Sequence, residues 1–176
     1  LKPYTKIHAE YGFYNQAPVI KFLNKGKHIS SMTGEKVTEY QAVEAVKAAS
    51  GKCSLNIETF TLIPCPGEMP HYSIIVEEGI LPDQNAGRRF IEMLDGALRD
   101  MNIEYDGKRK SGRLYYPDIL VVNKGSFDDL KKRHIEKQRG RAEQYKHIFL
   151  TPDSDFCLEF DIISKRDFII GKFANA

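Results

Sequence analysis

The chain has 176 residues, of which 41% are hydrophobic and 28% charged, with a formal net charge of +2. A chain of this length buries about 70% of its unfolded surface and needs no disulfide or metal to fold. The small net charge argues against a nucleic-acid or membrane partner, and no apolar run reaches the roughly 18–20 residues of a membrane span.

Leu1–Ala9 carries no apolar h-region, and Leu1–Asn15 is aromatic and polar without a clear period. Pro18–Lys25 reads as a strand. Asn24, Lys25 and Gly26 supply turn chemistry, and His28–Met32 is expected to return as its partner in a β-hairpin. Thr38 and Gln41 have the spacing of a capping box, in which a hydroxyl and an amide side chain satisfy free backbone N–H groups at a helix start. Val43, Val46 and Ala49 then lie on one helical face, and Gly51 is placed to end the helix.

Ser54–Cys65 is rich in β-branched and apolar residues and reads as one long strand. Proline lacks the N–H that a ladder needs, so Pro64–Pro70 is expected to interrupt it as a loop. Tyr72–Glu77 returns antiparallel. A second helix is expected from about Asp83, with Phe90, Leu94, Ala97, Leu98 and Met101 on its apolar face. Asp106–Arg113 reads as a polar, basic loop. Ile119–Val122 is a run of apolar residues, which predicts a strand covered on both faces. A third helix starts near Ser126, with acids in its first turn, bases toward its end and Gly140 as its stop. Phe156–Ile170 is a candidate final strand. The sum is an α+β domain: a small mixed β-sheet flanked by helices and preceded by a β-hairpin.

Several chemistries lack their motifs. There is no phosphate-binding G-x-x-x-x-G-K-[ST], no G-x-G-x-x-G and no G-x-S-x-G. The five histidines show no metal-ligand spacing with each other or with the cysteines, so no metal site is expected. Cys53, Cys65 and Cys157 form no C-x-x-C pair, which fits a reduced, cytoplasmic setting. Two segments are candidates for function. Gly34, Glu35 and Lys36 form a loop at a capped helix, which residue pattern alone reads first as plain turn and capping chemistry. Lys146 follows Gln144 and Tyr145, where a lysine can meet a phosphate as a point charge or simply be solvated. Lys108–Arg113, followed by Tyr115 and Tyr116, invites an RNA-binding reading that the modest net charge disfavours.

Together these pieces resemble the auxin-responsive (Gretchen Hagen) acyl-acid amido synthetase family. Gly12–Leu23 is similar to the hand-over from that family's large N-terminal domain. His28-Ile29-Ser30 through Gly34-Glu35-Lys36-Val37-Thr38-Glu39 resembles its helix entry. Leu120–Asp128 resembles a V…G-[ST]-F-[DE] segment, and Gln144-Tyr145-Lys146 a Q-Y-K triplet. In the family a proline–arginine pair often follows the triplet; here His147-Ile148-Phe149 stands instead. Residues 153–176 match no family segment.

The resemblance implies a luciferase-like adenylate-forming enzyme that activates a carboxylic acid with ATP and Mg2+ and passes it to an amine or amino acid. This chain would be the C-terminal lid, a piece of a longer enzyme and inactive alone. Residues 1–37 would form the hinge region and hairpin, and residues 38–176 the lid itself. Its partner would be its own N-terminal adenylation domain, which holds most of the nucleotide and acid sites. Lys146 would be the catalytic cation, with Gly34, Glu35 and Lys36 near the phosphates in one lid position. The alternative expectation is a stand-alone, non-enzymatic α+β binding module.

Overall fold

The computed structural model describes residues 8–14, 17–24, 29–137 and 145–166. His8–Tyr14 (β1) and Ala17–Asn24 (β2) pair antiparallel, with Tyr14 opposite Ala17. The expected strand near Pro18–Lys25 is therefore present, but its partner lies upstream, in a stretch whose composition showed no period. The expected return strand, Ile29–Ser30 (β3), instead pairs with Val37–Thr38 (β4). The expected turn residues Lys25 and Gly26 fall outside the described residues.

Thr38 caps α1 (Glu39–Cys53), and both halves of the capping box form. Gly51 does not stop this helix. It runs to Cys53 and closes on Ser54, which adopts φ 55°. The long strand expected from Ser54 is shorter, Thr61–Cys65 (β5), and includes Pro64. Leu62 N–H points away from the neighbouring strand to Phe149 C=O at 2.8 Å. Position 64 faces the same outer side, so a residue without an N–H leaves the ladder intact.

His71–Glu77 (β6) returns antiparallel to β5. Asp83 caps α2 (Gln84–Met101) by accepting from Ala86 N–H at 2.7 Å. Asn102 alone separates α2 from α3 (Ile103–Lys110): it ends the first helix and caps the second, accepting from Tyr105 N–H at 3.0 Å. The stretch read as a basic loop from Asp106 is thus helical through Lys110. Asp118–Val122 (β7) runs parallel to β6, and Ile162–Arg166 (β8) antiparallel to β7. A 3₁₀ turn at Ser154–Glu159 precedes β8, and α4 spans Ser126–Lys137. Gly140 lies outside the described residues.

The main sheet is mixed, in the order β5-β6-β7-β8. β7 shows why its apolar run is unbroken. Ile119 and Val121 join the core under α1 and α2, with Leu62, Ile74, Phe90, Leu94 and Leu98. Leu120 and Val122 join a second core with Phe127 and Leu130 of α4, Phe156 of the 3₁₀ turn and Phe160 just after it. Helices on both faces make a strand with no polar side.

Candidate functional site

The first turn of α1 gathers the residues that the sequence singled out. Gly34 and Lys36, in the loop between β3 and β4, both have positive φ, 106° and 50°. Glycine adopts such angles freely, whereas a lysine there carries local strain that the surroundings must hold. Glu35 supplies much of that hold. It is 1% exposed, and its carboxylate turns into the protein, not outward. Oε1 accepts from Met32 N–H (2.8 Å) and Tyr72 O–H (2.6 Å); Oε2 accepts from Thr33 N–H (2.8 Å) and its hydroxyl (3.0 Å). Burial pushes the carboxyl up, but these donors, led by Tyr72, outweigh it and hold Glu35 below its usual range. Burial, reinforced by the adjacent carboxylate, pushes the Tyr72 hydroxyl up, so it stays a proton donor.

Asn102 fixes the loop from the other side. Its Nδ2 donates to Glu35 C=O (2.8 Å), to Lys36 C=O (3.5 Å) and to Gln41 Oε1 of the capping box (3.2 Å). The exposed members of the loop, Gly34 and Lys36, are therefore presented by a buried frame spanning β6, α1 and the α2–α3 junction. Gly34 lies against Lys108 of α3: a Cβ at this glycine would stand 3.6 Å from Lys108 Nζ.

Lys146 reaches the same helix entrance from far along the chain. Its Nζ lies 3.5 Å from Glu39 Oε2, in the first turn of α1, and its side chain is 75% exposed. One carboxylate at the edge of its reach leaves this ammonium free to swing. The backbone that carries it is anchored. His147 Nε2 lies 2.7 Å from Phe60 C=O; a carbonyl only accepts, so Nε2 bears the proton. Burial pushes the His147 imidazole down, which keeps it neutral. Phe149 N–H donates to Glu39 Oε1 at 3.4 Å. Gln144, the first residue of the triplet, lies outside the described residues.

Sequence reasoning missed Glu39 as the partner of Lys146, and Tyr72 and Asn102 as the frame of the loop. None forms a local motif with the residue it serves. The basic stretch read as a possible RNA contact is partly consumed internally. Arg109 pairs with buried Asp95 at 2.8 Å, donates to Leu114 C=O and stacks over Tyr116.

Among the described residues, no helix is long and apolar enough to cross a membrane, and no three His, Cys, Asp or Glu side chains are arranged to hold a metal.

The family model described as the GH3 family C-terminal domain matches residues 40–155. A mouse GH3 domain-containing protein is 29% identical over 128 residues, 69% of this chain and 24% of its own length. The Arabidopsis thaliana 4-substituted benzoates-glutamate ligase GH3.12 is 26% identical over 148 residues, 77% of this chain and 26% of its own. Among solved structures, the GH3.15 acyl acid amido synthetase superposes with a TM-score of 0.69 at 24% identity, covering 90% of this chain and 30% of that one. A complex of AtGH3.15 with 2,4-DB gives 0.67 at 21% identity over the same shares. The chain therefore spans about a quarter of the curated relatives and under a third of the solved ones.

Proposed function

The chain belongs to the GH3 family, matched through that family's C-terminal domain, and from this premise we propose that it is the mobile lid of an ATP-dependent acyl-acid amido synthetase. Its partner is an N-terminal adenylation domain of the same protein, with residues 1–37 as the hinge region and 38–176 as the lid. The partial coverage of the relatives supports this division of labour, as does a relative that joins benzoates to glutamate. The substrates are a small carboxylic acid, ATP and an amine or amino acid. In the first half-reaction, a carboxylate oxygen attacks the α-phosphorus and pyrophosphate leaves. In the second, the amine nitrogen attacks the acyl carbon, loses its proton, and AMP leaves.

The observation that carries this reading is the state of Lys146: an ammonium three-quarters exposed, on an anchored backbone, held by one carboxylate at 3.5 Å. Negative charge builds on the pyrophosphate oxygens as they depart, and a positioned cation stabilises it. At about 4 Å and an effective dielectric near 20, one charge pair contributes on the order of 4 kcal/mol before desolvation. Each 1.4 kcal/mol or so is tenfold in rate. A cation on a lid serves one half-reaction and withdraws for the next. Gly34, Glu35 and Lys36 lie near the nucleotide in one lid position, with Glu35 acting from inside as the residue that shapes the loop. ATP and Mg2+ would be held mainly by the N-terminal adenylation domain.

The test is ATP–pyrophosphate exchange in the full-length enzyme across a panel of carboxylic acids. Lys146→Ala lowers the exchange rate by at least about tenfold. Unchanged exchange in that variant removes Lys146 from the chemistry, and exchange with no acid in the panel removes the synthetase reading.

A further inference from the structure

The loop that shapes α1's entrance faces a second cation that the family reading does not use. Lys108 lies in the last turn of α3, with its ammonium beside the open face of Gly34, 3.6 Å from where a Cβ would stand. A side chain at position 34 would need φ 106°, a left-handed backbone that L residues rarely adopt, while the Cβ itself would sit in ordinary van der Waals contact with that ammonium. Lys36 projects from the same loop, two residues on, at φ 50°. Its strained backbone is secured through the carbonyl contact with Asn102.

Three carboxylates of this part of the fold are already engaged. Glu35 is buried under its four donors. Asp106 holds Arg99 at 2.7 Å and Lys110 at 2.6 Å. Asp95 holds Arg109 at 2.8 Å. Asp106 and Asp95 each answer to another cation and Glu35 to neutral donors inside the protein, and none of the three forms an ion pair with Lys108.

The support beneath Lys108 is rigid. Tyr105 and Arg109, one on either side of it in α3, both bond Asp95. The Lys108 carbonyl accepts from Arg113 and Leu114 N–H and from the Ser111 hydroxyl. An ammonium on a fixed helix end beside a bare glycine backbone, with a second lysine on the same loop, is suited to an anion with several oxygens.

We propose that Lys108 completes an anion subsite with Gly34 and Lys36 that takes the polyphosphate of the nucleotide or the pyrophosphate released from it. The choice of ligand rests on the lid reading above; the subsite itself rests on the geometry. Lys108 is a binding residue distinct from Lys146, which comes from a later segment of the chain and pairs with Glu39.

Amide NMR of this chain during titration with inorganic pyrophosphate tests the subsite. Saturable shifts are expected at Gly34, Lys36 and Lys108, with binding weakened about fivefold in Lys108→Met and largely restored in Lys108→Arg. An ATP titration should move the same amides, and AMP should move them much less. Absence of a saturable Gly34 shift, unchanged affinity in Lys108→Met, or equal shifts with acetate at matched ionic strength each overturns the proposal. ATP–pyrophosphate exchange in the full-length enzyme is a separate readout. If exchange is absent while pyrophosphate still binds through Lys108, the lid reading fails and the anion subsite stands.

Discussion

Removing one oxygen from Tyr72 tests the frame behind the Gly34–Lys36 loop. Tyr72 is fully buried and donates to Glu35 Oε1 at 2.6 Å, the shortest of the four bonds on that carboxylate. Tyr72→Phe keeps the ring, its volume and its contact with Tyr105. It leaves a buried carboxylate short of one charge-assisted donor, a loss of about 1.5–3 kcal/mol. For a chain of this size each kcal/mol moves Tm by about 2–4 °C, so a fall of roughly 3–12 °C is expected by calorimetry or circular dichroism. The pH dependence provides a second readout. The depressed carboxyl of Glu35 adds stability that is complete above its unfolded value of about 4.3 and is lost as pH falls through its lower folded value. Without the Tyr72 hydroxyl the folded value rises, so acid unfolding starts at a higher pH. A Tm within about 1 °C of the parent, with an unmoved acid limb, refutes the claim that Glu35 is held ionised by this donor.

Asn102→Ala removes the α3 cap and strands the Glu35 carbonyl, costing about 2–4 kcal/mol in urea unfolding. Lys36→Gly relieves a positive φ and is expected to leave stability unchanged or raised by up to about 1 kcal/mol; in the full-length enzyme the same change should lower pyrophosphate exchange. His71 donates to buried Asp118 at 3.0 Å, and chiefly that hydrogen bond raises its pKa to about 10. Because the folded value is raised, the pair's stability is complete below the unfolded value near 6.5 and is lost as pH rises toward about 10; Asp118→Asn should flatten that alkaline limb in thermal melts. Leu98→Ala, in the core between α2 and the sheet, should cost about 2–5 kcal/mol.

The parts of the fold written in local spacing were readable from the sequence. Thr38 and Gln41 are three residues apart and form the capping box as expected. Phe90, Leu94 and Leu98 repeat at helical spacing and are fully buried. Ile119–Val122 has no polar face because it has two cores. Misreadings arose where distant residues override local chemistry. Gly107 and the surrounding charges read as a loop, yet Asn102 caps the helix, and Tyr105 and Arg109, one turn apart, both anchor it to Asp95. Pro64 read as a strand breaker, but its missing donor faces the outer edge of the sheet. The strand partner of β2 could not be chosen from turn residues alone, because β1 precedes it in a stretch that shows no clear period. At the candidate site, the loop and Lys146 were each visible by residue type. That they share one helix entrance was not, since Glu39 and Lys146 belong to segments joined only by the folded chain.

The seam between the Lys146 segment and the sheet bears on how that lysine can travel. Thr151 N–H donates to Leu62 C=O at 3.2 Å, Leu62 N–H to Phe149 C=O, and the Thr61 hydroxyl to Ile148 C=O at 2.7 Å. The outer edge of β5 is thereby covered instead of being open to pairing with another chain. The lysine is a short arm riveted to a stiff plate: its tip sweeps a small arc by side-chain rotation, and any longer journey requires the plate to swing as one piece. If the domain rotates about residues 1–37 as proposed, a small angular change there would be geared up into a much larger displacement at the ammonium.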